Sequence, residues 1–150
     1  MTGFTHKLGL CPLVGVVAVI AAATSLRAEP FPANLLAPKG IEGFVTVDRL
    51  PMPRDATLQQ GRAIWEDTCQ ACHGGNKLTG APKITATEAW HPRLKQGLGV
   101  LFDHAINGFT GPKYTLMPAR GGNEDLNDQE VEAAVRFMVW ASGAGDLATE

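Results

Sequence analysis

Five consecutive residues, Cys69-Gln70-Ala71-Cys72-His73, constrain this chain more than any others. Two thiols three positions apart reach two neighbouring edges of one planar group, and a histidine directly after the second thiol aims its imidazole at the centre of that group. This C-x-x-C-H spacing is what covalent haem attachment requires: each thiol forms a thioether with one vinyl group, and the histidine meets the iron. Other uses of the pair need other surroundings. A thioredoxin-like redox site needs a βαβ pattern, and zinc needs further ligands from a second cluster; the sequence offers neither. An exported chain can also join two such thiols as a disulfide, so the histidine beside them decides for haem.

The chain has 150 residues, enough for one small domain, and a domain of that size gains from a covalent hold on a cofactor that packing alone would retain poorly. Hydrophobic residues make up 45% and charged residues 19%, which suits a folded globular chain. The formal net charge of −2 leaves no basic footprint for nucleic acid. Three cysteines are too few for a disulfide-stapled scaffold.

Residues 1–28 read as an export signal. His6 and Lys7 precede an apolar run from Leu8 to Ala23, and a short polar stretch leads to Ala28 as the last residue before cleavage. The alternative is an uncleaved membrane anchor, against which Pro12, Thr24 and Ser25 count. Cleavage takes Lys7 and Arg27 from the 13 basic residues, leaving 11 against 15 acidic ones, a formal −4. It also removes Cys11, so that Cys69 and Cys72 become the only cysteines. The expected location is the periplasm, with membrane association only if the segment is retained.

Residues 29–55 hold Pro30, Pro32, Pro38, Pro51 and Pro53, which read as an extended arm. Such an arm either lies over its own domain or clasps a partner. A domain over 56–145 follows, then a tail over 146–150. Thr57 and Gln60 suggest a capping box at the start of a first helix running to about Thr68, with Gly61, Trp65 and Cys69 on one face. A short helix is expected over Thr87–Trp90 and broken at Pro92, and another over Gly99–Asn107, ended by Gly108. Asn127 and Glu130 cap a last helix whose Val131, Ala134, Val135 and Met138 share an apolar face. The pattern is all-α, with about four helices.

Iron held by histidine alone binds small ligands, whereas a second protein ligand closes it for electron transfer. The candidates are Met52, His91, His104, Met117 and Met138. Met138 falls on a core face, the two histidines lie in or beside helices, and Met52 is in the arm. Met117 stands in a glycine-rich loop, stiffened by Pro118, and is the preferred ligand; the alternative for any methionine is a gap-filling core residue.

These residues together resemble the class I cytochromes c, in particular the small bacterial c-five type. The resemblance runs from about Thr57 to Ser142 and rests on Gly61, Trp65, Cys69, Cys72, His73 and Gly74, on Gly80-Ala81-Pro82, on Trp90 with Pro92 and Arg93, and on Met117 to Gly122. It implies four or so helices around one covalent haem, with the first and last crossing where Gly61 meets Ala134 and Phe137. It implies that the Pro82 carbonyl fixes the His73 ring. It also implies that Trp90 donates to a haem propionate, unless it is a core aromatic, and that Arg93 offsets the propionate charge. A disulfide found in some members has no cysteines here.

The expected function is single-electron transfer through one six-coordinate His73/Met117 haem, without enzymatic activity of its own. Redox proteins are the expected partners, a dehydrogenase as donor and an oxidase or reductase as acceptor. The alternatives are a dedicated haem subunit of a periplasmic dehydrogenase and an open-iron sensor or enzyme. Lys77, Lys83, Arg93, Lys95, Lys113 and Arg120 form either a basic ring for acidic partners or an ordinary solvated surface.

Overall fold

A computed structural model describes residues 1, 3, 28–112 and 115–150. Residues 2 and 4–27, which hold most of the expected export signal and Cys11, lie outside the described residues, as does Lys113. The described helices are α1 (Ala56–Ile64), α2 (Gln70–His73), α3 (Thr87–Leu94), α4 (Leu98–Asn107), α5 (Asp128–Trp140) and α6 (Gly145–Ala148). One antiparallel ladder pairs β1 (Phe109–Thr110) with β2 (Leu116–Met117), in the register Phe109 to Met117 and Thr110 to Leu116. The domain is therefore helical, with two short strands where the sequence suggested only loop.

The crossing of α1 and α5 is the centre of the fold. A side chain cannot exist at Gly61: a β-carbon there would lie 1.9 Å from the Ala133 carbonyl oxygen and 3.0 Å from the β-carbon of Phe137. The close approach expected at this glycine is real, but the backbone it meets is that of Ala133, one residue before Ala134. Leu58, Trp65, Phe137, Val139 and Trp140 are fully or almost fully buried around the crossing, with Trp65 tilted on Phe137 at 5.9 Å. Each such side chain contributes about 1.5–3 kcal/mol by leaving water.

Local chemistry explains most helix ends and corrects three expectations. Asp55, not Thr57, caps α1, its carboxylate accepting from the Leu58 N–H at 2.9 Å. The first helix does not stay α-helical to its end: Trp65–Cys69 form a π turn, and the Gln70 N–H reaches back five residues to the Trp65 carbonyl. That extra residue rotates everything after it around the axis. Pro92 removes one donor from α3 without ending it; the helix stops at Leu94. By contrast, the box of Asn127 and Glu130 on α5 is complete, with Asn127 Oδ1 accepting at 3.0 Å and Glu130 Oε2 at 2.8 Å. Gly108 ends α4 at a φ of 85°.

The proline-rich segment lies over its own domain. Phe31, Val45, Leu50 and Pro53 are buried, and Phe31 packs edge-on against Trp140 at 5.0 Å. The Trp140 indole donates to the Glu29 carbonyl at 2.6 Å, joining residues 111 apart in sequence. Residues 146–150 are no loose tail either. Ala148 is buried and its carbonyl accepts from Arg136 at 2.9 Å.

Candidate haem site

The π turn and α2 bring Cys69, Cys72 and His73 to one wall of a cleft of about 400 Å³. Pro82, Trp90, Arg93 and Met117 line the same cleft, so all seven residues singled out from the sequence meet there. Both thiols are free, not joined as a disulfide. Burial pushes the Cys69 thiol up to about 12, and the nearby Cys72 adds to this. A thiol shifted that far is a poor thiolate ligand for zinc. Among the described residues no three His, Cys, Asp or Glu side chains gather to hold a metal ion.

His73 is 6% exposed, and its Nδ1 lies 2.9 Å from the Pro82 carbonyl oxygen. A carbonyl only accepts, so Nδ1 carries the proton. Burial lowers the pKa of the ring, the bond to Pro82 opposes that, and the Arg93 charge adds to the lowering. A neutral ring with its proton on Nδ1 leaves the Nε2 lone pair for iron. The ring is set from behind as well: Ile84 N–H donates to the His73 carbonyl at 2.8 Å.

Met117 occupies the last position of β2, partly buried against the core. The loop beyond it turns through left-handed Arg120, Gly121 and Gly122, at φ of 53°, 68° and 87°. Arg120 holds that turn by donating to the Leu126 carbonyl at 2.8 Å and pairing with Asp128 at 2.6 Å. His104 and Met138, given structural roles from sequence, also face the cleft, and His104 stacks on Phe109 with ring centres 4.0 Å apart. Met52 is 61% exposed and, like His91, is not part of the lining.

Trp90 departs from its implied role. Its indole N–H donates to the Lys83 carbonyl at 2.9 Å, and the ring is 3% exposed, so it is a core aromatic at the cleft wall whose donor is already committed. Arg93 donates to the Ala89 carbonyl at 2.5 Å and keeps the rest of its fork; burial depresses its pKa. The basic ring is not a free cluster: Lys83 is docked on backbone carbonyls, Arg120 is paired and Arg93 lines the cleft. Leu101, Ala105, Phe109 and Val135 complete a mainly apolar lining that fits a porphyrin face. Val135 was read from sequence only as core, although the same face of α5 lines the cleft; Leu101 and Ala105 of α4 and Phe109 of β1 carried no local signal for this role.

Residues 56–138, more than half of the chain, match the family model described as cytochrome C oxidase, cbb3-type, subunit III. The chain belongs to this family of c-type cytochromes. It is 38% identical over 85 residues to cytochrome c-555 of Prosthecochloris aestuarii, covering 55% of this chain and 85% of that one. It is 42% identical over 82 residues to cytochrome c-555 of Chlorobaculum tepidum, covering 55% and 74%. Cytochrome c5 of Ectopseudomonas mendocina is 39% identical over 72 residues, covering 47% and 76%. The chain is thus a small class I c-type cytochrome, an electron carrier and not an enzyme, carrying one haem c bound covalently through Cys69 and Cys72. No helix among the described residues is long and apolar enough to cross a membrane.

Proposed function

We propose that this cytochrome is a periplasmic carrier whose iron sits between His73 and Met117 and passes single electrons between redox proteins. The haem supplies the one-electron couple of its iron. The residues do the rest. His73 is oriented by Pro82, Met117 is presented by β2, and the apolar lining excludes water and so limits the charge rearrangement on transfer. The observation that carries the reading is that His73 and Met117 line a single cleft, one fixed through its second ring nitrogen and the other borne on a short ladder.

The rest of Arg93's fork is the best-placed cation for a propionate, with Trp90 serving the wall instead. Phe109 and Leu116, 38% and 70% exposed, line the cleft at its outer edge and offer an apolar surface to a donor such as a dehydrogenase or an acceptor such as an oxidase or reductase. Export rests on the residues preceding Glu29, which have the order of a secretory signal.

Absorption spectra of the oxidised and reduced protein, with and without carbon monoxide, test the ligation. Wild type should stay closed to carbon monoxide and Met117→Ala should bind it. Ready binding by wild type would sink the six-coordinate reading. A mass measurement on protein from the periplasmic fraction, starting at Glu29 and carrying one haem, tests export and cleavage together.

A further inference from the structure

The backbone carrying His73 is held from both sides by the N-terminal segment. The Val45 N–H donates to the Gly74 carbonyl at 2.7 Å, one residue beyond the histidine. On the other side, the stretch holding Pro82 runs into Lys83, whose ammonium donates to the carbonyls of Ile41 and, at 2.6 Å, Gly43. The Ile41 N–H donates to Thr85 Oγ1 at 3.0 Å, and Ala37 forms a parallel bridge with Ala86. Thr85 is fully buried at a φ of 68°, a conformation that costs a β-branched residue about 1–3 kcal/mol and survives only where its surroundings impose it. Here residues 37–45 are among those surroundings.

We propose that residues 37–45 brace the iron-binding histidine, with Lys83 as the positioning residue, and that the brace sets the reduction potential through the His73–Pro82 hydrogen bond. The inference rests on His73 being the iron ligand. Donation from Nδ1 to Pro82 gives the imidazole partial anionic character, which makes it a stronger donor and favours ferric iron. The carbonyl's position depends on residues 83–86, and those are fastened to the arm, not to the helices alone. Lys83 spends a cation on neutral carbonyls, an arrangement that serves geometry better than charge pairing. Residues 37–45 lie outside the 56–138 that match the family model, whereas Lys83 lies within it.

Gly40→Ala tests this without altering charge. Gly40 has a φ of 75°, and an added β-carbon would lie 3.0 Å from both the Ile84 carbonyl oxygen and Thr85 Oγ1, so the arm must lift. In the holoprotein, the ferrous-to-ferric ratio at the wild-type midpoint should rise at least threefold. Amide exchange at Val45 and Ile84 should quicken at least tenfold. Lys83→Met, which keeps the aliphatic stem and adds no backbone strain, should quicken exchange at the same amides. Leu147→Ala, which loosens the C-terminal turn, should leave the ratio unmoved. An unmoved ratio in Gly40→Ala, an equal shift in Leu147→Ala, or unchanged exchange in Lys83→Met would overturn the brace. A His73→Gly protein with a wild-type spectrum would sink the ligation reading itself, whereas a lost low-spin spectrum there with an unmoved ratio in Gly40→Ala would sink the brace alone.

Discussion

The two walls of the cleft are built differently. On the His73 side, the chain is tied by bonds spanning long stretches of sequence: Val45 to Gly74, Ile41 to Thr85, Ile84 to His73. On the Met117 side, support is mostly local, with one long tie where the Asn123 side-chain amide donates to Thr68 Oγ1 at 3.3 Å. Two residue pairs form the ladder, Gly111 N–H donates to the Thr115 carbonyl at 2.7 Å, and the glycines at 121 and 122 carry the turn. Burial follows the same division, with Val45, Ile84 and Thr85 fully buried and Leu116 largely exposed. Local opening is governed by such buried contacts and protected bonds. The histidine wall is therefore the fixed frame, and the methionine wall is the part that yields first.

Substitutions can break or sharpen this contrast. The largest effect is expected where both walls depend on one crossing. Gly61→Leu drives a side chain into the Ala133 carbonyl and should cost about 3 kcal/mol or more, read as a collapse of the thermal midpoint. Retained stability there would show that the helices can separate without loss. Val45→Ala removes two methyl groups from a fully buried position behind His73 and should cost about 1–3 kcal/mol in urea unfolding. Trp90→Phe leaves the Lys83 carbonyl without its donor and should cost about 1 kcal/mol. The smallest effect belongs to the other side. Leu116→Ser should change stability by no more than about 0.5 kcal/mol, since the side chain is 70% exposed. Equal costs for Val45→Ala and Leu116→Ser would erase the contrast.

What could be read in the sequence was what local chemistry decides. Asn127 and Glu130 are three residues apart and satisfy each other, so the start of α5 was legible. The spacing of Cys69, Cys72 and His73 similarly announced their shared wall. Asp55 and Thr57 are both good caps, and only the burial of Leu58 and Gly61 on the α5 side chooses between them. The π turn has no local signature, because it is the fit of Trp65 against Phe137 that accompanies the extra residue. The arm was read as extended from its prolines, yet Val45 and Phe31 are core residues, and their partners lie tens of positions away. Trp90 was open for a related reason. The sequence left it between a propionate donor and a core aromatic, and its acceptor is a backbone carbonyl seven residues upstream.

The bond from Trp140 to the Glu29 carbonyl bears on how the chain matures. It joins residues 111 positions apart, so this part of the core closes only when both the arm and the last long helix are present. A nascent chain that has emerged only as far as His73 has its thiols and its arm, but lacks Ala133, Phe137 and Trp140. Its cysteines and histidine are then accessible on an open template, and the arrival of α5 seals the domain over whatever has been joined to them.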